Sequence, residues 1–388
     1  MVSNPETNAV MASPPTLTAN GTGDASLTKS YTLNLATNIL EVTGGRFYYS
    51  TTTNRGAVGN QIVAGDAGNI NFLANSSPAT PSGENAIGPY YYKFVTDAPS
   101  VQIRAAATAT GNPCRIIVDG QYVDLVGNDF FTNNYLRIAF GSRKPRVIEW
   151  ECQYAISVFS LSVDPLSRIW KPKPIEPIRA AITGDSHTEG LSGVPNAAWT
   201  GCSAILSRLL GVYDMWITSI GGTGYLKLGT SGLRKKIKEQ MDDWVNIGKY
   251  DLIMFAGGYN DLSFTTSATA TEALACWQKA RAAQPSAFIV VFGVWGAATG
   301  PSASVTAMET ALQAQFTAWN DPFSAFIPVS NDYEAWEFGT GKQGATNGSG
   351  NSDNYVYTDG IHMNTAGQQY RAYKMATALR TAIFTFPS

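Results

Sequence analysis

The sequence predicts two domains, an antiparallel β-sandwich followed by an α/β domain built on a parallel sheet. Residues 30–163 contain many short β-like runs between turn residues and no convincing helix, a pattern typical of a β-sandwich. From residue 178 to 388, short apolar runs alternate with helix-like stretches, which predicts parallel strands with helices on both faces of the sheet. A length of 388 residues also fits two average domains better than one.

The first part of the chain divides into a polar segment and the predicted sandwich. Residues 1–29 are rich in Ser, Thr, Asn, Ala, Gly and Pro, so we expect a flexible or loosely attached arm. The Asp-Gly pair at 119–120 separates β-like runs at 115–118 and 121–125, which is a strong signal for a two-residue hairpin. The other β-like runs span residues 31–35, 46–50, 90–95, 101–105, 135–140, 147–152 and 156–163.

A proline-rich segment separates the two predicted domains. Residues 164–177 contain four prolines, which stiffen a chain, and we interpret this segment as a semi-rigid linker. The C-terminal part then holds predicted strands at residues 178–183, 215–219, 252–256, 287–294 and 325–329. Predicted helices cover residues 198–210, 233–245, 271–283, 305–319 and 367–384.

The composition argues against several classes of partner. A net charge of −2 and a pI of about 5.8 provide no global field for nucleic acid or anionic membrane. No stretch approaches the ~20 apolar residues of a membrane span. Only 14% of residues are charged, and this polar, uncharged composition is associated with secreted, viral or carbohydrate-facing proteins. We therefore expect a protein that acts outside the cell, secreted or virion-associated. The N-terminus shows no signal-peptide pattern, so the protein leaves the cell by another route, has lost a signal, or stays inside.

The four cysteines leave the redox compartment open. Cys114, Cys152, Cys202 and Cys276 are too widely spaced for a zinc motif, and they allow three disulfide pairings. Cys114 and Cys152 both lie in β-like segments and could pair. Four buried free thiols is the simpler interpretation.

Three glycine-rich loops follow predicted strands and carry polar residues. They are the Gly-Asp-Ser turn at 184–186, the Gly-Gly-Thr-Gly loop at 221–224 and the Gly-Gly-Tyr-Asn-Asp loop at 257–261. Because ligands bind outside the carboxyl ends of strands in open α/β sheets, we expect these loops to form one site. The Asp-Gly-Ile-His segment at 359–362 can reach the same edge. Taken singly, each motif could instead be a turn, a helix cap or a solvent-facing segment.

Together these motifs resemble the marker blocks of the SGNH/GDSL hydrolase superfamily, which contribute Ser, Gly, Asn and His. Ser186, Gly222, Asn260 and His362 match the blocks in the family's order over residues 178–388. The resemblance implies a three-layer α/β/α domain with a five-stranded parallel sheet. A preceding β-sandwich is similar to that of two-domain carbohydrate acetyl esterases, including carbohydrate esterase family 2. It makes the sandwich a candidate jelly-roll-like, carbohydrate-binding domain.

The matched residues have clear chemical roles in a serine hydrolase. Ser186 would be the nucleophile, His362 the base that takes its proton, and Asp359 the acid that orients the imidazole. The backbone N–H groups of Ser186 and Gly222 and the side-chain amide of Asn260 would form the oxyanion hole. The residues indicate no metal site and no cofactor.

Four further residues beside these loops are candidates for substrate binding. His187 stands where the family commonly has an aliphatic residue, and it could compete as the base. Because adjacent side chains on a sharp turn diverge, we expect it at the pocket rim or in a local hydrogen bond. Tyr225, Tyr259 and Trp295 could stack on a sugar ring, with core packing as the alternative for each.

The leading hypothesis is a serine esterase that removes O-acetyl groups from a carbohydrate or polysaccharide. A lipase or thioesterase of the same superfamily is an alternative, but the sequence shows no amphipathic lid. A second alternative is a virion tail or adhesion component that binds glycans through its β-domain. The sequence predicts neither the sugar nor the oligomeric state.

Overall fold

The computed structural model of the chain describes most of the 388 residues. These are residues 10–32, 39–46, 62–64, 70–72, 87–107, 114–130, 135–154, 156–173, 178–190, 197–212, 214–229, 235–246, 248–298 and 300–384. The chain divides into two compact units between residues 176 and 177. No helix within these ranges is long and apolar enough to span a bilayer.

The N-terminal unit consists of two antiparallel sheets. The first sheet has the order β1-β10-β7-β12-β5-β4, with β2 beside β12. Its strands are β1 (Thr16–Asn20), β2 (Lys29–Thr32), β4 (Ile62–Ala64), β5 (Ile70–Phe72), β7 (Ser100–Ala107), β10 (Tyr135–Ala139) and β12 (Ile156–Val163). The second sheet has the order β3-β6-β11-β8-β9, with β13 beside β6. Its strands are β3 (Glu41–Arg46), β6 (Ile87–Thr96), β8 (Cys114–Val118), β9 (Gln121–Tyr122), β11 (Arg146–Tyr154) and β13 (Ile169–Trp170).

One apolar core lies between these two sheets. Strand β10 alternates buried and partly exposed residues, so Leu136 and Ile138 face the core. The second sheet contributes Tyr92 and Trp150, whose rings stack with centroids 5.1 Å apart. Two antiparallel sheets with a shared core confirm the predicted sandwich.

The structure corrects two predicted segments. Strand β1 lies inside the predicted arm and pairs with β10 from Thr16 opposite Ala139, so residues 16–20 are part of the sheet. Residues 1–9 of that arm lie outside the described residues. Strand β13 lies inside the predicted linker and pairs with β6, so the N-terminal unit extends to at least residue 170. Both strands are short or exposed on alternate residues, and therefore carry little apolar signal.

Two local predictions can be compared with this unit. Asp119 and Gly120 have φ values of 50° and 82° between β8 and β9, the left-handed pair that a type I′ hairpin turn requires. Cys114 and Cys152 lie opposite each other on β8 and β11, with their Sγ atoms 3.0 Å apart. All four cysteines are buried thiols.

The C-terminal unit is a doubly wound α/β domain. Its five strands are parallel, in the order β15-β14-β16-β17-β18. The strands are β14 (Arg179–Gly184), β15 (Asp214–Ile217), β16 (Leu252–Ala256), β17 (Phe288–Phe292) and β18 (Ser324–Ile327). This confirms the predicted sheet. Most strand residues are buried, as expected for a sheet with both faces covered.

Helices cover both faces of this sheet. They are α1 (Ser186–Glu189), α2 (Ala197–Thr200), α3 (Cys202–Leu210), α4 (Ile237–Trp244), α5 (Thr266–Ala283), α6 (Ala303–Trp319), α7 (Ser352–Tyr355) and α8 (Thr365–Phe384). Helix α3 packs against α8, and α5 packs against both α4 and α6. The α3–α8 layer and one sheet face share a core that includes Ile182, Leu206 and Met375.

A buried carboxylate fixes the loops that follow β17 and β18. Glu309, on α6, is fully buried and accepts backbone N–H groups from residues 294, 329, 330 and 331 at 2.8–3.0 Å. These bonds satisfy main-chain donors that would otherwise be buried without an acceptor. Glu309 therefore stabilises the carboxyl edge of the sheet.

Replacing Glu309 with alanine should lower the free energy of unfolding by about 3 kcal/mol or more, because four backbone donors, three of them buried, lose their acceptor. Urea denaturation measures this change. Gln313→Ala is the control, since Gln313 lies exposed on the same helix. Equal stability of the two variants would contradict this role of Glu309.

Candidate active site

The sequence motifs meet at the carboxyl edge of the parallel sheet. Strand β14 lies between β15 and β16, so the chain winds in opposite directions on its two sides. The loops that follow these strands therefore diverge and leave a crevice, where open α/β sheets bind ligands. Ser186 follows β14, Gly222 follows β15 and Asn260 follows β16.

The turn that carries Ser186 is tightly packed. A Cβ atom at Gly184 would overlap the carbonyl oxygen of Ala256, so only glycine fits at the end of β14. The Asp185 side chain caps helix α1 by accepting the N–H of His187 at 2.9 Å. Ser186 is the first residue of this helix and remains partly exposed.

A hydrogen-bonded chain joins Ser186 to the Asp-Gly-Ile-His segment. The Nε2 atom of His362 lies 2.8 Å from Ser186 Oγ, and its Nδ1 atom lies 2.6 Å from Asp359 Oδ2. The other carboxylate oxygen of Asp359 accepts the backbone N–H groups of Ile361 and His362 at 2.9 and 3.0 Å. The carboxylate is thus held in place before it contacts the imidazole.

The charge on Asp359 determines the tautomer of His362. Burial opposes ionisation of Asp359, but the hydrogen bonds from the His362 ring and two backbone N–H groups prevail and lower the pKa of the carboxyl. An ionised carboxylate only accepts hydrogen bonds, so Nδ1 of a neutral His362 carries the proton. The lone pair on Nε2 then faces the hydroxyl of Ser186.

Two neighbouring loops present hydrogen-bond donors near Ser186. Gly222 has a left-handed backbone with φ 75°, and nothing lies within 4 Å of where its Cβ would be. Asn260 donates one N–H of its amide to the carbonyl of Thr223 at 2.9 Å, which fixes the amide and leaves a second N–H. Among the described residues, no acceptor bonds the backbone N–H of Ser186 or Gly222.

Two acidic residues hold these loops, and sequence reasoning assigned them no role. Glu189 accepts the N–H of Gly221 at 2.8 Å, which ties the second loop to helix α1. Asp261 accepts the N–H groups of residues 225, 226 and 227 at 2.8–3.0 Å, which ties the second loop to the third. Asp261 belongs to the third loop motif and Glu189 lies three residues after Ser186, so an acid near a site residue was the available signal.

The four candidate substrate-binding residues occupy different environments. Tyr225 and Trp295 are fully buried, which corrects the expectation that they offer a ring face to a sugar; they pack in the core. His187 is also buried, so it does not lie at a pocket rim. Its ring contacts Tyr259 edge to face, with centroids 5.0 Å apart. Only Tyr259 among the four is partly exposed.

The acid next to Ser186 has an unusual environment. Asp185 is fully buried, and burial raises the pKa of its carboxyl to about 7, although the His187 N–H and the charge of Arg371 act in the opposite direction.

No group of three His, Cys, Asp or Glu side chains within the described ranges is placed to hold a metal ion.

Asp185 should make the wild-type protein less stable as pH rises from about 4 to about 7, because the folded state holds its proton longer than the unfolded state. Asp185→Asn should therefore gain up to about 4 kcal/mol relative to wild type across this range. Urea denaturation at several pH values measures the difference. The exposed Asp242, changed to asparagine, is the control, and a difference independent of pH would contradict the assignment.

Comparisons with known proteins agree with this architecture. One similar structure is a salicylyl-acyltransferase from a tetracycline biosynthetic pathway, with 12% identity, a TM-score of 0.63, and coverage of 92% of this chain and 98% of that chain. A family two carbohydrate esterase from Cellvibrio japonicus has 11% identity, a TM-score of 0.59 and the same coverage of both chains. An acetyl xylan esterase from the rumen bacterium Butyrivibrio proteoclasticus has 11% identity, a TM-score of 0.52, and coverage of 97% and 100%.

Sequence comparison identifies the C-terminal unit. No curated protein matches the chain significantly by sequence. Residues 182–370, however, match the GDSL-like lipase/acylhydrolase family, and this range contains all four marker residues. Residues 182–370 are therefore a hydrolase domain of the SGNH type that belongs to the GDSL-like lipase/acylhydrolase family.

Proposed function

We propose that this hydrolase is a serine esterase that removes O-acetyl or other short acyl groups from a carbohydrate. The observation that carries the proposal is the chain of hydrogen bonds from Ser186 through His362 to Asp359. A serine hydroxyl is a weak nucleophile, and it needs an adjacent base within hydrogen-bond reach. His362 meets this geometric requirement, and its tautomer leaves the required lone pair on Nε2.

The reaction would proceed through an acyl-serine intermediate. Ser186 Oγ attacks the ester carbonyl while its proton passes to His362 Nε2, and Asp359 stabilises the imidazolium that forms. The imidazolium then donates this proton to the departing sugar hydroxyl. In the second half of the reaction, water gives a proton to His362 and attacks the acyl carbon. The Ser186 Oγ–acyl bond then breaks, the His362 imidazolium returns its proton to Ser186 Oγ, and the acyl group leaves as the carboxylic acid. Because only neutral His362 can act as the base, acidification should slow the reaction.

Three donors would stabilise the negative charge that develops on the carbonyl oxygen. The backbone N–H groups of Ser186 and Gly222 have no acceptor among the described residues, and the Asn260 amide retains one N–H. Glu189 and Asp261 hold the loops that carry these donors, so the donors are fixed before substrate binds. Donors preset in this way stabilise the transition state without reorganisation.

Several observations support a carbohydrate ester as the substrate. Two of the similar structures are a carbohydrate esterase and an acetyl xylan esterase. Tyr259 lies partly exposed beside the site, and a tyrosine ring can stack on a sugar while its hydroxyl bonds a polar group. A polysaccharide substrate would place the enzyme outside the cell. Acetate release from a panel of acetylated polysaccharides identifies the sugar.

Exposed apolar side chains favour a second candidate, an esterase for longer acyl groups. Leu228 and Phe264 follow the second and third loops and are 46% and 42% exposed, and Ile361 beside His362 is 39% exposed. Such residues could contact an acyl chain. Measuring kcat/KM with esters of increasing chain length separates the two candidates, because a strong preference beyond butyryl would favour the second.

Ser186→Ala should reduce the hydrolysis of a small acetyl ester by at least about 10⁴-fold while the fold survives, because the nucleophile is lost. Acetate release and circular dichroism measure the two properties. Ser304→Ala is the matched control, since Ser304 is an exposed serine on α6. Turnover that is unchanged in Ser186→Ala would overturn the proposed function.

Asn260→Ala should lower kcat by about 10²–10³-fold with a much smaller effect on KM, because it removes a donor needed mainly in the transition state. Steady-state kinetics with the same ester measure both constants. Asn246→Ala, at an exposed asparagine, is the control. A kcat within twofold of wild type would exclude Asn260 from the oxyanion hole.

A further inference from the structure

A second histidine lies against the proposed base. The centroids of the His187 and His362 rings are 5.9 Å apart, and His187 follows Ser186 directly in sequence. His187 is 1% exposed, whereas the side chain of His362 is 18% exposed. The site therefore contains two imidazoles, and of these His362 contacts the nucleophile.

A buried ion pair contacts His187 from helix α8. Arg371 donates from Nη1 to the ring Nδ1 and to the backbone oxygen of His187, both at 3.2 Å. Its Nε and Nη2 atoms donate to Glu337 Oε1 at 2.9 and 2.6 Å, and its guanidinium lies 4.5 Å from the ring centroid of Trp295. Both charged side chains are at most 1% exposed, so they are fixed in one arrangement.

This contact determines the tautomer of His187. A guanidinium has five N–H donors and no acceptor, so the nitrogen that it approaches must offer a lone pair. Nδ1 of His187 is therefore unprotonated, and the ring is neutral with its proton on Nε2. A protonated His187, or the other tautomer, would point an N–H group at an N–H group of Arg371.

We propose that Arg371 is a positioning residue for the esterase reaction. Paired with Glu337, it fixes His187 as the neutral Nε2–H tautomer and holds the Ser186 turn in position beside His362. This proposal rests on the function assigned to Ser186 and His362. It gives His187 a structural role and leaves His362 as the single base at the site.

The contact between Arg371 and His187 connects the segment that carries Ser186 to the segment that carries His362. His187 shares helix α1 with Ser186, and α8, which carries Arg371, begins shortly after His362. Two further contacts join the same elements: Gln368 on α8 accepts the N–H of Cys202 at 2.9 Å, and the thiol of Cys202 donates to the backbone oxygen of His187 at 3.2 Å. The nucleophile and the base are thus fixed to each other through α8.

The surroundings of His187 also disfavour a positive charge. Burial has the largest effect, and the charges of Arg371 and His362 add to it, so the pKa of His187 lies well below its ordinary value. The other ionisable groups that face this residue are Glu337 behind Arg371, Tyr259 against the ring, Asp185 at its backbone N–H and Cys202 at its carbonyl. When His362 takes the proton of Ser186, it therefore has no second imidazolium beside it.

NMR of the imidazole nitrogens tests the proposed tautomer and neutral state of His187 without measuring activity. The chain has only two histidines, so His362→Asn leaves His187 as the only imidazole and assigns its signals. In the wild-type protein, ¹⁵N-edited spectra should show His187 neutral, with its proton on Nε2, from about pH 5 to about pH 8. A His187 signal that titrates in this range, or a proton on Nδ1, would overturn the proposal.

The double variant Arg371→Met/Glu337→Gln tests positioning and avoids a buried, unpaired carboxylate. We expect kcat to fall about 10- to 100-fold with KM within about twofold, because Ser186 and His362 lose their alignment. The His187 signals should shift or begin to titrate. The control is Arg281→Met/Asp321→Asn, which removes a similar pair of 2.8 Å contacts near the starts of β17 and β18, at the opposite edge of the sheet.

The outcomes separate this proposal from the assigned function. A folded double variant with kcat within twofold of wild type, or the same loss of kcat in the control, would exclude Arg371 as a positioning residue. If the double variant does not fold, the wild-type spectra still decide the tautomer. Unchanged turnover in Ser186→Ala would instead refute the esterase, and it would leave the state of His187 as the spectra report it.

Discussion

Buried carboxylates that accept backbone N–H groups hold the site in shape. Asp185 caps the helix that starts at Ser186, and Glu189 binds the second loop. Asp261 joins the second loop to the third, and Glu309 binds the loops that follow β17 and β18. A loop at the carboxyl edge of a parallel sheet has main-chain donors without strand partners. These acids satisfy the donors, so irregular backbone can be buried at low cost.

This mode of support explains the contrast between the acids at the site. Asp185 and Asp261 are fully buried, and burial raises the pKa of each carboxyl although backbone N–H groups act in the opposite direction. Asp359 is more exposed, and its hydrogen bonds lower its pKa. The carboxylate that faces the imidazole is therefore the one that ionises readily, while Asp185 and Asp261 lie in surroundings that disfavour charge.

The strands and the polar loops could be predicted because their signals are local. Residues 252–256 form an apolar run between turn residues, and the structure has this strand with the same bounds. Strand β1 escaped prediction because three of its five residues, Thr16, Thr18 and Asn20, are polar and exposed, and its order comes from pairing with β10. The burial of Arg371 also escaped prediction, since its partners Glu337 and His187 are distant in sequence.

The Asp261 contacts have a consequence for how such a site can change. Asp261 binds the main chain of Tyr225, Leu226 and Lys227, and none of these bonds involves their side chains. Every non-proline residue supplies the same N–H group. The partly exposed side chains at 226 and 227 can therefore be exchanged while the backbone that carries the donors stays in place. Substrate specificity can therefore change through the side chains of this loop while its backbone geometry stays the same. This loop is a suitable starting point for redesigning which substrate the enzyme accepts.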